Sequence, residues 1–223
     1  NYPFRDAILG FLTGADPAQM IEIVCNLLEN YPPQVIRILM NHIGTHDTER
    51  ALTILAGDPV GSHGREWQSK TKLTPEQRAL GLERLRLAAL MQFTLPGVPC
   101  IYYGDEAGME GYKDPFNRAP YPWGHEDASL VAWYKGLGQM RSRLSCLREG
   151  SFVPLQADGH CLSYVRDDAV DALLVAINAG GEPRTLYLPQ EWHAAPTIFG
   201  EEPDRNGGVN LPPRGYTVLT YQK

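Results

Sequence analysis

The sequence predicts an α/β region followed by a small all-β region, with the change of character near residue 148. Three observations carry this. Two short, nearly continuous apolar runs, Val35–Met40 and Val98–Tyr103, alternate with helix-period segments, as parallel strands covered by helices do. Thr74-Pro-Glu-Gln77 has the pattern of a capping box and opens a long helical stretch. Beyond Gly150 the chain breaks into short strand-like runs between Gly, Pro and Asp turns.

In chain order, a helical pattern covers about Arg5 to Leu12 and a second covers Pro17 to Asn30. Asp16 is placed as N-cap and Pro17 at the first helical position, where its missing N–H costs nothing. The Val35 run follows Pro32-Pro33 and reads as a buried strand. The helix opened by Thr74 puts Leu82, Leu85, Ala89 and Phe93 on one stripe and stops at Pro96-Gly97. The Val98 run is the second strand, weakened by Pro99, which cannot donate to a ladder. A last helix spans about Asp127 to Leu147, with Leu130, Trp133, Tyr134, Leu137 and Leu144 on one face. Leu162–Arg166, Ala172–Asn178, Arg184–Leu188, Thr197–Phe199 and Tyr216–Tyr221 are antiparallel strand candidates. The expected division is 1–147 and 148–223.

The 223 residues are 43% hydrophobic, too apolar for a disordered chain. No run approaches the roughly 18 apolar residues of a membrane span. With 20 Lys+Arg against 26 Asp+Glu the net charge is −6, a poor match for a phosphate backbone. No membrane or nucleic-acid partner is expected. Cys25, Cys100, Cys146 and Cys161 are scattered with no CxxC, which reads as free thiols in a reducing compartment and argues against a metal site. No cofactor is implied. The sparse cysteines lean toward a cytoplasmic setting. Asn1 stands first, without Met, and suggests a cut-down chain.

In parallel α/β folds, functional groups collect past the carboxyl ends of the strands. That rule selects two loops, Asn41–Arg50 after the first strand and Gly104–Trp123 after the second. The second is rich in carboxylates and aromatic rings, a combination suited to a neutral polyhydroxyl ligand. Hydroxyls need directional partners, and sugar rings offer an apolar face to Tyr or Trp. Ordinary structural readings stand beside these. His46-Asp47 can be a local turn or cap, Asp114 before Pro115 a turn starter, Arg118 a surface partner of Asp105 or Glu106, and Trp123 a core residue. The segment Gly57–Leu73, bearing Gly and Ser, reads as a mobile loop bordering the site.

At these same residues the sequence resembles the α-amylase family of glycoside hydrolases, nearest to its neopullulanase, cyclomaltodextrinase and maltogenic amylase branch. Asn1-Tyr-Pro-Phe-Arg-Asp-Ala-Ile resembles the end of barrel strand 6 and the helix after it. Gly44-Thr-His-Asp-Thr-Glu-Arg-Ala-Leu-Thr53 resembles the strand 7 motif, and Leu95–Met109 resembles strand 8 and its loop. Asp114-Pro-Phe-Asn-Arg118 and Tyr121-Pro-Trp123 resemble a sugar-contacting segment. The resemblance implies the C-terminal part of a (β/α)8 TIM barrel, from the end of strand 6 to helix 8, over residues 1–147. A small antiparallel β-sandwich follows over 148–223. Asp47 matches the family's third catalytic carboxylate, which stabilises the oxocarbenium-like transition state, and His46 matches a histidine bonded to the same sugar. Asp114 and Arg118 match a pair that binds a glucose further toward the non-reducing end.

The departure lies in what is absent. A retaining glycosidase needs two carboxylates about 5 Å apart, which this family takes from strands 4 and 5, and neither segment occurs here. Asp6, at a helix start, does not replace them. The expected function is therefore part of a retaining α-glycosidase acting on maltooligosaccharides, cyclodextrins, starch or pullulan, inactive on its own. The alternative is a non-catalytic α-glucan-binding or structural, oligomerising module. Three strands cannot close a barrel of eight, so the chain is expected to oligomerise or to pair with the other barrel half.

Overall fold

The computed structural model describes residues 1–223. The chain opens with two helices packed against each other, α1 (Tyr2–Leu12) and α2 (Pro17–Asn30). Asp16 caps α2 as expected, its carboxylate accepting from the Ala18 N–H at 2.9 Å.

The Val35 run differs from the sequence expectation. Pro33–Ile36 form a single helical turn, α3, because the prolines present helical φ angles and Pro32 O accepts from the N–H groups of Val35 and Ile36. Only Met40–Asn41 remain extended, as β1. The second strand, β2, is equally short at Val98–Pro99. The two strands pair in parallel as expected, with Val98 N donating to Leu39 O and Cys100 N to Asn41 O. Pro99 fits because its missing N–H would point away from this ladder. Each strand has one neighbour, so side chains take over at the free ends. Gln92 Nε2 donates to Asn41 O and Cys100 O, and Asn41 Nδ2 donates to Pro96 O.

Between the strands lie α4 (Ala51–Ala56), α5 (Arg65–Lys70) and α6 (Pro75–Thr94). The sequence reading omitted α4 and α5, and Gly57–Leu73 is not a bare loop. Besides containing α5, it is tied down by Leu73 N donating to the Glu110 carboxylate and by Tyr112 OH donating to Asp58 O. The Thr74–Gln77 capping box is present in both directions. α6 departs from a simple amphipathic helix: every residue from Leu87 to Thr94 is buried. It is a central helix, packed by α1 and α4 on one side and by α7 (Ala128–Arg143) on the other. The last predicted helix ends at Arg143, and a separate turn, α8 (Cys146–Glu149), follows.

The remainder is antiparallel: β3 (Ser151–Asp158), β4 (Cys161–Asp167), β5 (Asp171–Asn178), β6 (Arg184–Tyr187), β7 (Thr197–Gly200), β8 (Gly208–Leu211) and β9 (Tyr216–Gln222). Five strands form one sheet in the order β3-β4-β5-β9-β7, and β6 pairs with β8 as a separate ribbon. β3 and β8 were not legible as strands. β5 is buried along its whole length because both faces are covered. Leu173, Val175 and Ile177 join the helical core, while Ala172, Leu174 and Ala176 meet Leu186, Val209 and Trp192 beneath the ribbon. The helices and the sheet thus share one core of apolar side chains. A polar seam reinforces it: buried Arg166 donates to the carbonyls of Thr94, Gly150 and Ser151, and Tyr164 OH meets Thr94 Oγ1 at 2.6 Å.

No helix is long and apolar enough to cross a membrane. All four cysteines are free, Cys146 and Cys161 buried, Cys25 and Cys100 half-buried.

Candidate functional site

Both selected loops leave the carboxyl ends of β1 and β2, so the parallel pairing brings them side by side. The first makes a turn at 45–48, fastened by Asp47 N donating to Thr45 Oγ1. His46 and Asp47 stand exposed at its crest, with His46 Nε2 3.1 Å from Asp47 Oδ1. The second loop forms a 3-10 turn at Phe116–Arg118 that places Asn117 and Arg118 against the first.

The structure brings the four predicted residues into one polar cluster. Arg118 Nε lies 2.9 Å from Asp114 Oδ1 and also donates to His46 O, which Nη2 reaches at 3.2 Å. One guanidinium therefore links Asp114 to the backbone of the turn carrying Asp47. Arg118 pairs with neither Asp105 nor Glu106, the surface partners the simple reading allowed. Trp123 is not core: it is 80% exposed and leans on Tyr121 with ring centroids 4.6 Å apart.

Three residues in the site were missed by the sequence reading. Asn117 is fully buried, and its Nδ2 donates to the carbonyls of both His46 and Thr48. Arg50 and Asp105 face each other, buried beneath the turn, with Nη1 3.6 Å from Oδ1. Burial pushes the Asp105 carboxyl up to about 7, against the opposing pull of the Arg50 cation. Nothing local in the sequence distinguishes an Asn or Arg that bridges two loops from one that faces water, because both partners are backbone groups or distant residues.

Chemically, the cluster offers an exposed carboxylate, an imidazole and a carboxylate-braced guanidinium on one rim. Such groups give charge-assisted hydrogen bonds to hydroxyls. No group of three or more His, Cys, Asp or Glu is arranged to hold a metal ion.

Comparison with known proteins places the whole chain in a family. Residues 1–143 match the alpha-amylase family, described as "Alpha amylase, catalytic domain". The chain is 34% identical over 178 residues to an amylopullulanase of Thermoanaerobacter thermohydrosulfuricus, covering 74% of this chain and 12% of that protein. It is 32% identical over 202 residues to a cyclomaltodextrinase of Bacillus sp, covering 88% of this chain and 32% of the relative. Among solved structures, the cyclic alpha-maltosyl-(1→6)-maltose hydrolase of Arthrobacter globiformis superposes with a TM-score of 0.78 at 26% identity. That match covers all of this chain and 44% of the hydrolase. The chain thus spans less than half of each of these relatives, and it belongs to the α-amylase family.

Proposed function

We propose that this chain supplies one wall of the sugar cleft of a retaining α-glycosidase acting on maltooligosaccharides, cyclodextrins, starch or pullulan. Residues 1–147 are the C-terminal third of its catalytic barrel, from the end of strand 6 to helix 8, and 148–223 are its C-terminal β domain. In this reading Asp47 stabilises the flattened, positively charged sugar ring, and His46 bonds a hydroxyl of the same ring. Asp114 and Arg118 grip a neighbouring glucose. Hydrogen bonds that strengthen as the ring flattens lower the barrier. The nucleophile and the acid/base belong to barrel strands this chain does not contain, so the chain alone does not hydrolyse.

The observation carrying the proposal is the linkage of the two strand-end loops through the His46 carbonyl, which sets Asp47, His46, Asp114 and Arg118 on one rim. Titration calorimetry with maltotriose tests it. Weak, saturable binding that disappears in Arg118→Ala and is absent for cellotriose is expected. Equal heats for the two sugars count against an α-glucan site.

A second reading, an associating module, is favoured by one observation. Ile38, Met40, Val98 and Ile101 are exposed together around the open two-stranded sheet, and an apolar surface beside an unpaired strand edge invites another chain.

A further inference from the structure

Arg50 is completely buried three residues past Asp47. Its backbone N–H donates to Gly111 O at 2.9 Å. Its guanidinium lies 4.3 Å from the Tyr102 ring centroid and 4.6 Å from that of Tyr103, and it donates to the Tyr103 carbonyl. Asp105, 2% exposed, lies 3.6 Å from the same guanidinium. The second Asp105 oxygen has no hydrogen-bond partner and sits directly under Gly44, so close that a Cβ there would overlap the carboxylate. Two nitrogens of Arg50, Nε and Nη2, are likewise buried without partners. Glu106, Arg5 of α1 and Tyr134 of α7 are the other titratable groups that face this carboxylate.

The turn carrying His46 and Asp47 is thus held from below at both ends. Gly44 rests on the carboxylate, and Arg50 is held against two neighbouring rings and the second loop. An incompletely satisfied buried pair is a poor stabiliser, since apolar groups of equal volume do as well or better. Its fixed geometry is what an apolar pair would lack. We propose that Arg50 and Asp105 are positioning residues that set the height and orientation of Asp47 and His46 without touching the sugar. The proposal rests on the reading of Asp47 and His46 as sugar-contacting groups.

Two measurements test it. In the 223-residue chain, amide hydrogen exchange is followed in the wild type, Asp105→Asn and Gly44→Ala. Gly44→Ala wedges the turn off the carboxylate without altering any charge. Exchange at Asp47, Arg50 and Gly111 is expected to quicken about tenfold or more in both variants, with β5 amides unchanged. The β5 amides report unfolding, so a variant that merely fails to fold is recognised, and the other variant then decides. In the full-length polypeptide, both variants should lower kcat on maltooligosaccharides ~10- to 100-fold while KM moves less than about threefold. Arg50→Lys, which keeps the charge but not the planar fork, should fail to retain wild-type kcat. Unchanged exchange in folded variants, or a loosened turn with intact kcat, would overturn the proposal. A full-length wild type that hydrolyses no α-glucan would sink the functional reading instead, leaving the exchange comparison to judge whether the pair positions the turn.

Discussion

Two of the molecule's three sheets are built on opposite terms. The β1–β2 pair is parallel, two residues per strand, open at both edges and flanked by exposed Ile38, Met40, Val98 and Ile101. The β3-β4-β5-β9-β7 sheet is antiparallel, and its central strand is buried on both faces. An antiparallel sheet closes its ladders within one stretch of chain, whereas parallel strands depend on distant neighbours. The candidate sugar-binding side chains all stand on the sheet that depends on neighbours, and none on the self-sufficient one. Order and the proposed function are therefore assigned to different parts of the chain, and mutations should separate them.

The largest separation is expected at Asp47. Its side chain is 60% exposed, so Asp47→Asn should shift stability by less than about 0.5 kcal/mol. On the function proposed above, Asp47 is a catalytic carboxylate, and its loss in the full-length polypeptide should cut kcat on maltooligosaccharides on the order of 10⁴-fold. Parallel thermal unfolding and steady-state kinetics measure both. A destabilised Asp47→Asn, or one of normal activity, breaks the comparison on its functional side.

The converse is expected at Arg166, in the seam between helices and sheet. Arg166→Ala takes this donor from the buried Thr94 carbonyl and from the part-buried carbonyls of Gly150 and Ser151. An unsatisfied buried group costs about 1–3 kcal/mol, so a loss of at least ~1 kcal/mol should appear in chemical denaturation. Maltotriose binding by the remaining folded molecules should be unchanged. A loss below ~1 kcal/mol would mean that the two regions are held together by apolar contacts alone.

The same contrast explains what the sequence made legible. The antiparallel part is legible nearly strand for strand at β4, β5, β6, β7 and β9, because its periodicity and turns are local. β3 escaped because Pro154 interrupts it and only half-buried or exposed residues occupy it. The Val35 run misled because an apolar run has no intrinsic extended state. With no second neighbour to pair with, Pro32-Pro33 prevailed and wound Val35 and Ile36 into a turn. In the site, the exposed residues were found through their resemblance to family motifs. Asn117, Arg50 and Asp105 were not, since what marks them is burial against a loop tens of residues away. The helix α6 shows the same limit: Thr74 and Gln77 announce its start locally, but its all-round burial depends on elements that close over it only in three dimensions.

A smaller effect is expected in assembly. The exposed apolar edge predicts that the chain alone self-associates at micromolar concentration. Ile38→Lys with Met40→Lys should shift it toward the monomer, since edge lysines block strand addition. Sedimentation velocity of the two proteins decides. A monomeric wild type would show that the open sheet tolerates water as it stands.

The smallest effect is a pH dependence within the dependent half. Asp105 is held protonated up to about pH 7 by burial, whereas an unfolded chain releases that proton near the ordinary carboxylate value of roughly 3.9. Between those limits the folded state binds more protons, so this group's contribution to stability falls as pH rises, by at most about 1.4 kcal/mol per unit. His42 opposes it: burial depresses its imidazole to about 4, so the unfolded chain takes up the proton first, and stability falls as pH drops from about 6.5 toward 4. The two slopes oppose each other between about pH 4 and 6.5, leaving Asp105 alone between about 6.5 and 7. Asp105→Asn should remove the loss of stability in that upper interval and unmask a steeper fall on acidification below it. Urea denaturation at half-unit pH steps resolves this, and identical profiles for the wild type and Asp105→Asn would mean that Arg50 keeps the carboxylate charged throughout.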